Sequence, residues 1–204
     1  MRLIIAYCLK REVARKHNQF LLPFARASAV RHHSQFGFCC LTLLVSRFGL
    51  RGFCKAGKEI LQQVQGPIDG FCSGIGTGGT LTGVGSVLKS ANPNIHIWAA
   101  EPENAAILSG GSIGSHIQMG IGDGIIPDIL NQNIYNDIYV VTDEEALDTS
   151  RRLAREEGLM VGISAGTNVA AALKLAKKLG KGKTVVTVLT DTAERYFSTP
   201  LFME

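Results

Sequence analysis

From residue 57 onwards the apolar and polar positions of the chain fall into two alternating periods. In GKEILQQV (57–64), Ile60, Leu61 and Val64 share one helical face. PIDGFCSG (67–74) reads as a strand running into a glycine turn. TLTGVGSVLKSAN (80–92) reads as the helix leaving that turn, with Leu81, Val84 and Leu88 at helical spacing. NIHIWAAEPE (94–103) is the next strand. A strand, glycine loop, helix and second strand within about 30 residues make a βαβ unit, whose crossover is right-handed in nearly all cases.

The second half repeats the theme. A strand is predicted over 138–141, after which Thr142 caps a helix with Glu145 three positions on, the pattern of a capping box. Ala146, Leu147, Ser150, Leu153 and Ala154 form that helix's inner stripe, and Gly158 ends it. GISAGTNVAAALKLAKKLG (162–180) gives a further turn and helix, Ala-rich and cationic towards its C-terminus, as the helix dipole favours. KTVVTVLTD (183–191) is a nearly continuous apolar strand of the kind buried on both faces of a parallel sheet. The expected fold class is therefore α/β: three layers, with a mostly parallel sheet between flanking helices. The length of 204 residues suffices for one domain, or one domain with an appendage.

Charge divides the chain in two. Residues 1–58 hold 11 Lys and Arg against the single acid Glu12, a balance of +10, whereas the remainder carries −6 and the whole chain +4. The first 55 residues also hold four of the five cysteines and are expected to lack a regular architecture, with residues 56–204 as the folded unit. An Arg-rich, acid-poor stretch of this kind fits a transit segment, or an arm for nucleic acid or a membrane surface. Neither reading gains further support. The apolar run 36–45, ended by Arg47 and Arg51, is about half the length a membrane helix needs. His32-His33 and Cys39-Cys40 lack the spacings of a zinc site, so no metal is expected.

The glycine loop CSGIGTGGTLTG (72–83) carries the candidate chemistry. Gly74, Gly76 and Gly79 satisfy G-x-G-x-x-G, and Glu101 stands at the distance where a dinucleotide site places its ribose-binding acid. A nicotinamide or flavin site follows on that local pattern, and a glycine turn that serves packing alone is a second possibility. The hydroxyls point elsewhere. With Thr77 and Thr80 flanking Gly78 and Gly79, backbone N–H groups and two side chains can converge on one monophosphate ester at a helix N-terminus.

Beyond the glycine loop, AAEPENAAILSGG (99–111), HIQMGIGDGIIPDIL (116–130), VGISAGTNVAAAL (161–173) and ERYFSTPLF (194–202) occur in an order that resembles the C-terminal portion of the cysteine synthases, or O-acetylserine sulfhydrylases, among the fold-type II pyridoxal-phosphate enzymes. The resemblance runs from about residue 56 to 202. It implies pyridoxal 5'-phosphate as cofactor, with Gly76, Thr77, Gly78, Gly79 and Thr80 as the phosphate cup and Ser164 as the hydroxyl that meets the pyridine nitrogen. A neutral hydroxyl does not hold that nitrogen protonated, which suits β-elimination and replacement. Taken alone, Ser164 reads as a helix N-cap. The loop at 120–127 is implied to lie near the substrate mouth, with a structural glycine turn as the alternative, and Glu101 becomes a residue at the edge of the site. The implied activity is cysteine formation from O-acetylserine and sulfide in the cytoplasm. The implied partners are a second copy of the chain and the tail of serine acetyltransferase; no nucleic acid or membrane is implied.

One departure qualifies that implication. The family's cofactor-bonding lysine stands in a Ser-x-Lys-Asp/Asn-Arg setting, well upstream of the loop. Here the upstream lysines are Lys10, Lys16, Lys55 and Lys58, and none has those neighbours. The Thr-Ser-Gly-Asn type stretch for a substrate carboxylate is also missing. No catalytic residue is therefore assigned, and the 204 residues are expected to be inactive by themselves, as a frameshifted, misread or degenerate enzyme would be. A noncatalytic module retaining the phosphate cup or a docking surface is the alternative, and a nicotinamide-binding Rossmann domain a more distant one.

Overall fold

The computed structural model describes residues 6–8 and 47–203. The apolar run 36–45, the His and Cys pairs beside it and the lysines Lys10 and Lys16 lie outside the described residues. In chain order the elements are β1 (Ala6–Cys8), α1 (Arg47–Gln63), β2 (Gly70–Gly74), α2 (Gly79–Ala91), β3 (His96–Pro102), β4 (Asp137–Val141), α3 (Asp143–Glu157), α4 (Ile163–Leu179) and β5 (Val185–Val188), with single 3-10 turns at Glu103–Ala105 and Ala193–Tyr196. The strands form one sheet in the order β1-β5-β2-β3-β4. Its last four strands are mutually parallel, and β1 joins the β5 edge antiparallel. Two expectations for the first 55 residues are corrected. A short strand is present at Ala6–Cys8, and α1 begins at Arg47 and runs across residues 55 and 56 rather than starting at 57. Among the described residues no helix is long and apolar enough to cross a membrane.

Strand alternation sorts the core into two layers. Phe71, Ile97, Ala99, Val186 and Val188 face α1 and α2, where they meet Ala56, Ile60, Leu81, Val84 and Leu88. Their neighbours Cys72, Trp98, Ala100 and Val185 face the opposite way, onto Ala171, Ala172 and Leu175 of α4. The full burial of Phe71 is worth about 1.5–3 kcal/mol. Burial also decides the chemistry of Cys72: loss of solvent pushes its thiol up to about 12, against the Thr187 hydrogen bond, so it stays a neutral packing group. At the rim of the α4 layer Trp98 stacks on Tyr139 with ring centroids 6.0 Å apart, and Lys178 Nζ lies 5.0 Å from the centre of the Trp98 ring.

α3 starts as its sequence requires. Thr142 Oγ1 accepts from Glu145 N at 3.0 Å, and Gly158, in the left-handed region at φ 67°, closes the helix. Only half of the expected capping box forms, because the Glu145 carboxylate accepts from the Tyr139 hydroxyl instead, at 3.0 and 3.2 Å. α3 packs on α4 so closely that Gly166 lies directly against the Ala146 carbonyl and Ser150.

The strands' starting edge is tied by Asp69, which accepts from Lys183 Nζ and from Thr184 N, both at 2.9 Å, across 115 residues of chain in the second case. Burial acts to raise the pKa of this carboxyl, but the Thr184 N–H, Lys183 and His96 outweigh it and hold it below the ordinary 3.8. A lowered carboxylate pKa contributes stability that is present above 3.8 and lost as pH falls through the folded-state value. Asp69→Asn is therefore expected to cost about 1 kcal/mol in urea unfolding at pH 7. The gap should close at the acid end of the curve; an equal gap at pH 7 and pH 3 would contradict this account.

Candidate functional site

The strand order places β3 and β4 on one side of β2 and β5 on the other. The crossover from β2 to β3 runs through α2 on one face of the sheet, and the one from β4 back to β5, on the far side of β2, runs through α4 on the other, so the strand order reverses between β2 and β5. In open α/β sheets such a switch point opens a crevice beyond the carboxyl ends of the two strands, and ligands bind there. The glycine loop leaves β2 at this edge, and Leu189 to Thr192 leaves β5 beside it.

The glycine loop is held from both sides. Ile75 donates its N–H to Ala100 O at 3.1 Å and accepts at its carbonyl from Gly122 N at 2.9 Å. At Gly76 a Cβ would fall onto the carbonyl oxygen of Gly120, so only glycine fits. Gly78 has φ 77°, in the left-handed region, and a Cβ there would come within 2.7 Å of the Leu130 Cβ. α2 then begins with no side-chain cap and no acid in its first turn. Thr77 Oγ1 only brushes Gly79 N, at 3.5 Å, and remains exposed, while Thr80 is half-buried. Thr82, by contrast, is consumed: its hydroxyl donates to Ile129 O at 3.2 Å and accepts from Asn131 N at 3.0 Å. A thirteen-residue helix thus presents its positive end and two hydroxyls, with no carboxylate among them, as a monophosphate ester requires.

Residues 116–124 form a second wall. His116 Nδ1 accepts from Gln118 N at 3.2 Å, which leaves Nε2 as the protonated nitrogen donating to Gly122 O at 3.1 Å. Gln118 is fully buried. Its Nε2 donates to Val141 O at 3.0 Å and Asp143 Oδ1 at 2.9 Å, and its Oε1 accepts from Thr167 of α4 at 2.8 Å. The wall that Gly120 presents to Gly76 is therefore fixed by a satisfied polar network.

Ser164 lies at the other side of the crevice. It is the second residue of α4, whose N-cap is Gly162, so the N-cap reading of Ser164 is corrected. Its hydroxyl is 2.9 Å from Thr190 Oγ1, just past the end of β5. A pair of hydroxyls needs only one proton for their mutual bond, which leaves the other available to an acceptor. Ser164 is 4% exposed and Thr190 is exposed, so Thr190 is the outward member of the pair. Next along, Asp191 Oδ2 accepts from the Tyr196 hydroxyl at 2.5 Å, and Oδ1 is buried with no hydrogen-bond partner. Burial pushes the Asp191 carboxyl upward, against the effects of Tyr196, Arg195 and Gly162.

Glu101 does not serve the crevice. It is 2% exposed, and its two oxygens accept from Leu108 N and Ser109 N, both at 2.9 Å, and from the Ser109 hydroxyl. The ribose-binding reading of this residue is corrected: its carboxylate is taken up in securing the turn after β3. The sequence reading missed Thr190, Gln118 and His116, and also Asn168, a buried polar residue of α4. For Asn168 and Thr190 the available signal was a polar residue interrupting the apolar stripe of a helix or following a buried strand; His116 and Gln118 lie between regular elements and offered none.

Fold and site together define an α/β domain that offers a phosphate ester a helix N-terminus at a switch point. The chain belongs to the family described as "Pyridoxal-phosphate dependent enzyme", which matches residues 24–191. It is 55% identical over 147 residues to a cysteine synthase of Staphylococcus aureus, covering 72% of this chain and 47% of that protein. Among solved structures, an O-acetylserine sulfhydrylase isoform 3 from Entamoeba histolytica superposes with a TM-score of 0.74 at 34% identity, over 76% of this chain and 48% of that one. An O-ureido-L-serine synthase gives 0.72 at 41% identity, over 76% and 49%. The chain spans about half the length of the curated relatives it matches. The fold is that of the fold-type II pyridoxal-phosphate enzymes, and the family's cofactor is pyridoxal phosphate. The residues at the crevice fit it: the cradle a Cβ would fill at Gly76 and the uncapped start of α2 suit its phosphate.

Proposed function

We propose that this chain is the cofactor-holding part of a cysteine synthase acting on O-acetylserine and sulfide. The observation that carries the reading is the uncapped, acid-free N-terminus of α2 behind a glycine loop at the switch point, in a chain 55% identical to a cysteine synthase. On this reading Gly76, Thr77, Gly78, Gly79 and Thr80 bind the phosphate of pyridoxal 5'-phosphate through backbone N–H groups and hydroxyls, aided by the helix dipole. The Ser164–Thr190 pair presents a neutral hydroxyl proton to the pyridine nitrogen. Bound there, the cofactor supplies an electron sink for replacement at the β-carbon of an amino acid. The walls at Gly120 and Ile121 exclude water from one side of the cup. A homodimer, docking of a serine acetyltransferase tail and a cytoplasmic location belong to the same reading.

The 204 residues contain no Ser-x-Lys sequence at all. Covalent catalysis needs an amine placed to attack the cofactor aldehyde, and loss of a catalytic nucleophile lowers rates by several orders of magnitude. The 204-residue polypeptide alone is accordingly expected to bind pyridoxine 5'-phosphate more tightly than inorganic phosphate in calorimetric titrations. It is expected to bind nicotinamide dinucleotide no better than phosphate, and to form no detectable cysteine. Preferential binding of the dinucleotide would overturn the reading. Borohydride reduction with pyridoxal phosphate, followed by peptide mapping, checks the lysine argument; a stoichiometric adduct on one lysine, accompanied by turnover, would refute it.

A further inference from the structure

Asn168 occupies a place in the fold that no motif assigns. It lies in the second turn of α4 and is 1% exposed. Its Oδ1 accepts from Gly74 N at 2.6 Å, and its Nδ2 donates to Val188 O at 2.7 Å. Those two backbone groups belong to the last residues of β2 and β5. The ladder between these strands pairs Gly70 with Val185, Phe71 with Val186 and Cys72 with Thr187, and goes no further. Where the next backbone bond would form, the Asn168 amide stands between the donor and the acceptor. A primary amide is a peptide group in miniature, with one acceptor and a donor on the same plane, so both strands remain satisfied while being held apart by its width.

We propose that Asn168 is the positioning residue that opens the crevice and sets the spacing between its two arms. One arm begins at Gly74 and carries the cup Gly76–Thr80; the other begins at Val188 and carries Thr190. Ser164 stands four residues before Asn168 on the same helix, about 6 Å nearer its N-terminus, and bonds Thr190 at 2.9 Å. A single buried side chain therefore fixes the root of both arms against the helix that bears Ser164. The proposal rests on the cup reading given above and deepens it: a ligand that spans both arms depends on Asn168, and one that touches only the cup does not.

Two ligands separate the cases. Inorganic phosphate occupies the cup alone, whereas pyridoxine 5'-phosphate reaches from cup to hydroxyl pair and has no aldehyde to react with surface lysines. In the 204-residue chain, the ratio of their dissociation constants is measured by calorimetry and phosphorus NMR for wild type, Asn168→Ala and Asn168→Asp. Asn168→Asp keeps the acceptor for Gly74 N and loses the donor to Val188 O. A hydrogen bond to a charged group is worth on the order of 10- to 100-fold in a dissociation constant. The preference for the ester is expected to fall about 100-fold in Asn168→Ala and about 10-fold in Asn168→Asp, with phosphate affinity unchanged. An unaltered ratio in the folded variants overturns the proposal, as does a parallel loss of both affinities, which marks a residue that only supports the fold. If Asn168→Ala does not fold, Asn168→Asp decides. A wild-type chain with no preference for the ester removes the cup reading itself, and this proposal with it.

Discussion

Replacing Gly76 with alanine is expected to weaken phosphate and pyridoxine 5'-phosphate binding together, each by about 100-fold. The reason is a collision with a neighbour that cannot yield. The new Cβ would land on the carbonyl oxygen of Gly120, a backbone atom rather than the free end of a side chain. That backbone is tied at Gly122, which donates to Ile75 O at 2.9 Å and accepts from His116 at 3.1 Å. Gln118, two residues before Gly120, is locked in its buried network. The glycine loop must therefore retreat and carry the first N–H groups of α2 away from a shared anion; hydrogen bonds to a charged group are each worth about 1.5–3 kcal/mol, so the loss is roughly a hundredfold. Calorimetric titration with each ligand reads the effect. Undiminished phosphate affinity in a folded Gly76→Ala chain would show that the ligand is not held by this loop. The pattern differs from that expected at Asn168, because on the proposed reading Gly76 touches the phosphate and Asn168 sets only the spacing beneath it.

The largest effect on stability is expected at Gly166. A Cβ there would run into the Ala146 carbonyl oxygen and the Ser150 hydroxyl. Ser150 is itself engaged, donating to Gly162 O at 2.9 Å. α3 cannot shift outward without breaking the contacts of Ala146 with Val141, Ile163 and Ala170. Gly166→Ala is expected to cost about 3 kcal/mol, the upper end for overpacking in a close-packed core. At this chain length that lowers the melting temperature by roughly 6–12 °C. Gly158 supplies the comparison: a Cβ there has open space, and the left-handed conformation at φ 67° alone costs about 1–2 kcal/mol. Differential scanning calorimetry of both variants should rank Gly166→Ala below Gly158→Ala. The reverse order would mean that the two helices are not in backbone contact.

Local rules carried most of the fold. The largely apolar runs in GFCSG and HIWAAEP report buried strands, and Thr142 and Gly158 mark the ends of α3 because caps are made by neighbours in sequence. The glycine loop was legible for the same reason, since strand, loop and helix are contiguous. What failed depends on distant partners. The acid Glu101 occupies the ribose-binding position of the dinucleotide pattern, yet it is consumed by a turn seven and eight residues ahead. Asn168 looks like one polar residue in an Ala-rich helix until Gly74, 94 residues away, is brought against it. Gln118 and Thr167 are 49 residues apart and signal nothing separately. The early start of α1 was hidden because Arg47 and Arg51 read as the end of an apolar run rather than as the opening turn of a helix.

Trp98 is the single tryptophan of the 204 residues, and it is 7% exposed in the layer covered by α4. Intrinsic tryptophan emission from this chain is therefore the signal of one indole, with no second emitter to deconvolute. That indole stacks on Tyr139 and carries the Lys178 ammonium over its ring, a cation held in turn by Asp137 at 3.1 Å. It sits near the starting end of β3, whereas the cup and the hydroxyl pair lie at the opposite edge of the sheet. Its spectrum reads whether α4 is seated on the sheet, and it provides an optical record of folding separate from the edge at which a ligand would enter.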